Sequence, residues 1–303
     1  MKERWLIIGA FGAIYIIWGS TYLANAFAIK EIPPFFMAGG RFLIAGILLF
    51  ALMLAQRKSI PTPKQWMYGA LMGTLFLSIG NGALVKALEY LDSGMAALLI
   101  AFDPLLVVLA MWVLIGVVPG KRNIFGTILG IIGMVILIGQ PSIMTSKESL
   151  KGIGLVSISM VSWTVASIYV AKVDLPKARG RSTERQMITG GILLIIYSLI
   201  TGEIFEFSIQ QMTSKGWMSW IYLVVFGSII GFSSFNYLLH KVSPDKVSTS
   251  TLINPIVALI LGWMFNSEQV TLQSIIATVV LLSGVFFINT HKTAPEKKVE
   301  LSD

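Results

Sequence analysis

Long apolar runs constrain this chain more than any other feature of its sequence. Ten runs are close to the length that a helix needs to cross a ~30 Å hydrocarbon core, and charged or proline-bearing loops separate them. Only 13% of the residues are charged, whereas soluble domains carry about 25%. We therefore predict an all-α integral membrane protein. Its ten predicted spans are 5–25, 35–55, 67–88, 93–114, 123–140, 152–171, 186–202, 217–239, 246–265 and 273–290.

The spans form an internal repeat. Residues 62–139 align without a gap on residues 213–290, at an offset of 151, while an offset of 145 pairs Trp18 with Trp163. Because each half has five spans, an odd number, the second half is predicted to cross the membrane inverted relative to the first. Inverted repeats are typical of secondary transporters, whose sites lie between the halves. The predicted units are a first five-helix repeat at 5–140, a second at 152–290 and a charged cytoplasmic tail at 291–303.

Lys and Arg concentrate in alternate loops, such as the one that contains Lys121 and Arg122. Positively charged loops usually stay in the cytoplasm, so both termini are predicted to lie inside a multi-pass protein of the plasma or inner membrane. The net charge of +8 then reflects topology rather than a nucleic-acid partner. The sequence has no cysteine, which excludes disulfides and thiolate metal sites.

Asp103 and Pro104 interrupt the middle of the fourth span, and Asn254 and Pro255 repeat the pair 151 positions later. A charge at that depth costs several kcal/mol unless it is paired, protonated or hydrated, so Asp103 is a candidate functional residue. It could exchange a proton or hold a substrate ammonium group. It could instead form a static pair with Arg41 or Lys86. Both prolines are predicted to break their helices.

Further candidates are polar or aromatic residues inside apolar spans. Arg41, near the outer end of the second span, could attract a carboxylate or serve the structure by pairing or snorkelling. Trp18 and Trp163 could wall a cavity for amphipathic or cationic solutes, or pack helices. Lys86 and Glu89 are expected to pair. The remaining candidates for the substrate path are Ser20, Asn81, Asn236 and Asn254.

Glycine pairs four residues apart predict close helix contacts, either within the chain or in a homodimer. They begin at Gly69, Gly126 and Gly227. A stretch from Gly116 to Lys121 lacks the spacing of a phosphate-binding loop, and His240 and His291 have no partners at metal-ligand spacing. We therefore expect no ATP site, metal or cofactor.

Four segments resemble the EamA type of the drug/metabolite transporter superfamily, and the resemblance covers nearly all of 5–290. They are Trp18-Gly-Ser-Thr-Tyr22, Gly40-Arg-Phe-Leu-Ile-Ala-Gly46, Pro104-Leu-Leu-Val-Val108 and the stretch from Asn254 to Glu268. The resemblance implies a ten-helix inverted-repeat fold with a central cavity and, in most members, export. It also implies that spans 4, 5, 9 and 10 pack together. The chain departs where Gly116-Val117 replaces a glycine-glutamate that often ends the fourth span.

These features predict a secondary transporter that moves small organic metabolites or drugs, amino-acid-like or amphipathic, by alternating access. Export and proton coupling through Asp103 are the favoured mode, and a passive facilitator is the alternative. A non-transporting membrane scaffold or an intramembrane enzyme is the other class. An enzyme should carry paired carboxylates, a Ser–Lys pair or a His cluster within its spans, and the sequence offers a single carboxylate there.

Overall fold

The computed structural model of the chain describes residues 2–57, 59–116, 118–140, 146–172, 183–242, 247 and 250–289. The predicted tail 291–303 lies outside them. All regular secondary structure in the described residues is helical, which confirms the predicted all-α class. The uninterrupted helices are α2 (Pro34–Ala55), α5 (Lys121–Ile138), α6 (Lys147–Lys172), α7 (Thr183–Ile200), α9 (Ser250–Asn266) and α10 (Leu272–Asn289).

The other four long helices are composite. Their segments are Lys2–Gly12, Ala13–Ile17 and Trp18–Ala28 in α1; Pro63–Met72, Gly73–Asn81 and Gly82–Ala87 in α3; Ser93–Ile100 and Asp103–Ile115 in α4; and Ser214–Tyr222, Leu223–Phe232 and Ser233–Lys241 in α8. The central segments of α1, α3 and α8 are π-helical. An offset of 151 carries Gly73–Asn81 of α3 onto residues 224–232 of α8, so these two π-helical segments occupy equivalent places in the two halves.

Among the described residues, seven helices are long and apolar enough to cross a membrane. They are α1 to α6 and α8, and many of their large apolar side chains are exposed, as expected of a surface in contact with lipid. Helix α9 and the stretch Leu272–Ile288 of α10 are apolar but shorter. The structure thus establishes a multi-span helical bundle.

The two prolines act differently. Ala101 and Phe102 form a turn between the segments of α4, and Pro104 lies in the first turn of the second segment, where its missing N–H breaks no ladder bond. Pro255 instead lies inside an uninterrupted α9, contrary to the predicted break. It falls in the second described turn of that helix, so it removes a single ladder bond and the helix continues.

Helix pairs meet through glycines. Gly39, Gly46 and Gly191 bring α2 against α7, while Gly126 and Gly284 bring α5 against α10. The predicted glycine pairs also make contacts within the chain, which is one of the two alternatives stated above. Helices 4, 5, 9 and 10 pack together, as the resemblance implied. Across the halves, α1 packs on α8 and α9, and α6 packs on α3 and α4.

Candidate functional site

One face of α1 carries the residues that connect most of the predicted site. Trp18, Tyr22 and Asn25 lie four and three positions apart, so they form a stripe about 10 Å long at ~1.5 Å of rise per residue. Trp18 contacts an aromatic cluster, Asn25 binds the guanidinium of Arg41, and Tyr22 is buried between them. The stripe therefore aligns an aromatic and a basic element inside the bundle.

Four rings from four helices form the aromatic cluster, which consists of Trp18 of α1, Phe76 of α3, Trp163 of α6 and Phe235 of α8. The ring centroids of Trp18 and Phe235 are 5.1 Å apart, and those of Phe76 and Trp163 are 4.6 Å apart. Trp18 and Trp163 meet edge to face at 6.2 Å. These are favourable aromatic geometries. Because α1 and α3 belong to one half and α6 and α8 to the other, the cluster lies between the halves.

Each tryptophan packs on a glycine of the opposite half. A Cβ atom at Gly80 would lie 2.7 Å from Nε1 of Trp163, and one at Gly231 would lie 2.5 Å from Nε1 of Trp18. The same offsets that relate the two halves relate Trp18 to Trp163 and Gly80 to Gly231. Trp18 Nε1 also donates a hydrogen bond to Gly227 O at 3.4 Å, in the π-helical segment of α8. Both glycines lie in π-helical segments, which are frequent at functional sites.

Arg41 is 4% exposed and binds two amide oxygens. Its Nη1 donates to Asn25 Oδ1 at 2.9 Å and its Nη2 to Asn81 Oδ1 at 3.1 Å, while the guanidinium lies over the ring of Phe42. No carboxylate oxygen among the described residues is within 4.0 Å of its nitrogens. Arg41 thus joins α1, α2 and α3 while keeping an unneutralised positive charge in the bundle.

Asp103 lies at the break in α4 and is partly buried. Its Oδ1 accepts a hydrogen bond from Thr164 Oγ1 of α6 at 3.2 Å. In the described part of the chain, no Lys or Arg nitrogen is within 4.0 Å of its carboxylate. Arg41 binds amides, so the static pair considered for Asp103 is not seen in the structure.

Lys86, the second cation considered for that pair, binds two glutamates. Its Nζ lies 2.7 Å from Glu89, as the spacing predicted, and 3.8 Å from Glu203.

The remaining predicted residues have separate partners. Ser20 shares a 2.6 Å hydrogen bond with the hydroxyl of Tyr222 of α8, which again joins the two halves. With its Nδ2 facing α1, Asn254 donates to the carbonyls of Ile14 and Tyr15, both at 2.9 Å, in the π-helical segment of α1. Asn236 donates to Phe232 O of its own helix, and no hydrogen bond among the described residues joins it to the stripe.

Sequence reasoning did not single out Phe76, Thr164, Tyr222 and Phe235. Their partners lie far away in the chain, as for Asp103 and Thr164, and no local pattern identifies such pairs. Asn25 and Tyr22 had a usable signal, because they share a helical face with Trp18.

Two apolar clefts lie outside this region. One, of about 220 Å³, is enclosed by α4, α5 and α6, and the other, of about 340 Å³, lies between α9 and α10. Their walls are almost entirely apolar and contain none of the predicted site residues. The walls of these two clefts therefore offer no charged group.

Apolar helices that enclose a short polar and aromatic stripe define a multi-pass membrane protein of the transporter class. The chain belongs to the EamA-like transporter family, whose sequence profile matches residues 4–139 and again residues 150–290.

Relatives match nearly the whole chain. It is 32% identical to the uncharacterized inner membrane transporter YedA of Escherichia coli (strain K12), over 96% of this chain and 94% of the relative. Identity to the uncharacterized transporter YoaV of Bacillus subtilis (strain 168) is 22%, over 94% and 97%. A solved crystal structure shares the fold with a TM-score of 0.65, at 18% identity, over 94% of this chain and 98% of the other.

Proposed function

We propose that the chain is a secondary transporter of the inner membrane, which exports small organic metabolites or drugs by alternating access. Its solutes are amino-acid-like or amphipathic, and its transport is coupled to protons through Asp103. The proposal includes ten spans in two inverted halves with both termini in the cytoplasm. The chain acts as a transporter and not as an enzyme, in keeping with the names of its family and relatives.

One observation carries the proposal: aromatic, acidic and basic groups lie inside the bundle, and the aromatic cluster and the bond between Asp103 and Thr164 join the two halves. The aromatic cluster suits an apolar or aromatic group, Asp103 suits an ammonium group, and Arg41 suits a carboxylate. Since the aromatic cluster and the bond between Asp103 and Thr164 each combine helices of both halves, relative motion of the halves would open and rebuild them. This is the arrangement that alternating access requires.

Proton coupling rests on the surroundings of Asp103. A carboxylate that accepts one hydroxyl hydrogen bond and has no cation within 4.0 Å in the described residues can take up and release a proton without breaking an ion pair. A facilitator would use the same site without this exchange. The two modes differ in whether a pH gradient drives accumulation.

Uptake into proteoliposomes tests the solute class with a labelled panel of aromatic and small neutral amino acids, nucleosides and cationic dyes. Trp18→Leu removes an aromatic wall and should reduce flux of the preferred solute about tenfold, the equivalent of ~1.4 kcal/mol. Trp112→Leu is the matched control, because Trp112 is 49% exposed on α4. Equal flux in the two variants would contradict the assigned site.

A further inference from the structure

Two glutamates join the halves at the end of the bundle that the charge pattern predicts to be external. Glu31, between α1 and α2, accepts hydrogen bonds from the backbone N–H of Thr213 at 2.7 Å and from its Oγ1 at 2.6 Å, at the start of α8. Glu203, between α7 and α8, accepts from the backbone N–H groups of Phe35 at 2.6 Å and Phe36 at 3.3 Å, at the start of α2. Each carboxylate therefore binds the first turn of a helix in the other half.

Glu268, after α9, makes the third such contact. It accepts from Ser93 N at 3.1 Å, Ser93 Oγ at 2.7 Å and Gly94 N at 3.0 Å, at the start of α4, and from Asn266 Nδ2 at 3.0 Å. It is 7% exposed. Charge-assisted bonds to free N–H groups at a helix N-terminus are among the stronger hydrogen bonds in proteins. We call Glu31, Glu203 and Glu268 the cross-repeat glutamates.

The first half has no glutamate at the position equivalent to Glu268, on the predicted cytoplasmic face. An offset of 151 relates Glu268 to Val117, which has no hydrogen-bonding side chain. The buried carboxylate of Glu268 therefore joins the halves at the predicted external face, and the equivalent residue at the cytoplasmic face is a valine.

A second pair of equivalent positions, Gln65 and Gly216, also differs between the two faces. Thr62 and Thr213 begin α3 and α8, and Thr62 is capped within its own helix by Gln65. The position equivalent to Gln65 is Gly216, where a Cβ atom would lie 2.7 Å from Cδ of Glu31. Glycine at this position therefore leaves the room that Glu31 occupies when it crosses from the other half.

Different contacts join the halves near the opposite end, in the part of the chain that the structure describes. Lys241 of α8 and Glu3 of α1 form an ion pair at 2.7 Å, with side chains 42% and 63% exposed. Thr189 Oγ1 of α7 donates a hydrogen bond to Gly69 O of α3 at 3.3 Å, and Arg185 of α7 packs on Gly69. Contacts in which a carboxylate binds a helix N-terminus of the other half are described at the predicted external end.

We propose that the cross-repeat glutamates form an external gate that makes the externally closed, inward-opening conformation the resting state. This inference rests on the alternating access proposed above. With the external end held by these three carboxylates, of which Glu203 and Glu268 are buried, the cytoplasmic end opens first and loads solute from inside. The asymmetry thus supplies a structural reason for export.

The absence of cysteine from the sequence makes the gate testable by thiol labelling. Ser20→Cys places a reporter on α1 about two helical turns from its predicted external end. In sealed vesicles, a membrane-impermeant maleimide should label it slowly from outside. Adding Glu268→Gln, which places an amide N–H₂ against the N–H of Gly94, should raise the external labelling rate at least tenfold. Glu148→Gln is the control, because Glu148 is predicted to lie on the same face and pairs with Lys151 in its own helix.

An unchanged external rate in Glu268→Gln would overturn the gate. Unfolding is detected separately with Ala277→Cys, a reporter that is 1% exposed between α5 and α10 and reacts only if the bundle opens.

Labelling requires no substrate, so its outcome is independent of the flux assays. Transport with unchanged labelling would refute the gate and leave the proposed function intact. The tenfold labelling shift in a chain that moves no solute would refute the function and leave the gate intact.

Discussion

Replacing Gly80 with alanine places a methyl group where the indole of Trp163 now lies. The new Cβ atom would be 2.7 Å from Cδ1 and Nε1 of Trp163 and 2.8 Å from the carbonyl oxygen of Leu75. An ordinary carbon contact is about 3.5–4.0 Å, so the indole or the π-helical segment must move by close to 1 Å. Overpacking of this kind costs about 1–3 kcal/mol.

Gly154→Ala is the matched control. Gly154 lies on the exposed face of α6, and a Cβ atom there has no neighbour within 4 Å. Alanine should stabilise that site by ~0.5–1 kcal/mol through helix propensity alone. The two variants should therefore differ by about 1.5–4 kcal/mol in unfolding free energy. That difference corresponds to a separation of unfolding midpoints of several degrees, at roughly 2–4 °C per kcal/mol.

Thermal unfolding of the purified proteins in one detergent, followed by tryptophan fluorescence, measures this separation. Solute flux should also fall in Gly80→Ala, because Trp163 is displaced from the aromatic cluster. If Gly80→Ala unfolds at the same temperature as Gly154→Ala and transports normally, the close contact between the halves is not as described.

Two further predictions concern buried charges. Arg41→Lys should destabilise the protein by about 2 kcal/mol, because an ammonium cannot reproduce the fork that binds both Asn25 and Asn81; equal unfolding midpoints for it and the exposed control Arg122→Lys would contradict this. Burial raises the pKa of Glu203, in a loop outside the spans, more than its amide hydrogen bonds lower it. Since the folded state then holds the proton more tightly than the unfolded chain, the wild type should lose stability relative to Glu203→Gln as pH rises from the ordinary glutamate pKa through the raised one. A difference in midpoint that does not vary with pH would refute this.

The helices were largely predictable from sequence, because the length of an apolar run is a local property. The predicted span 35–55 corresponds to α2 at Pro34–Ala55, and the predicted span 93–114 corresponds to the two segments of α4. The π-helical segments were not predictable. A π-helical turn adds one residue to a helical turn without changing overall apolarity, so hydropathy and periodicity do not detect it.

The candidate site was predictable in composition but not in its contacts. Intramembrane polarity identified Asp103 and Arg41, and the repeat identified Trp18 and Trp163. Their partners depend on how distant helices meet, so the bond from Thr164 to Asp103 and the ring of Phe235 against Trp18 required the structure. Pro255 shows the same limit, because the effect of a proline depends on where its helix begins.

The most direct test of the account compares wild type with Asp103→Asn in proteoliposomes, with and without an imposed pH gradient. Asparagine keeps an oxygen that can accept the hydrogen bond from Thr164, so the fold should persist while the exchangeable proton is lost. We predict that the wild type accumulates its solute only when the gradient is present. Asp103→Asn should lose this accumulation and retain exchange of labelled for unlabelled solute. Normal gradient-driven accumulation by Asp103→Asn would contradict the account.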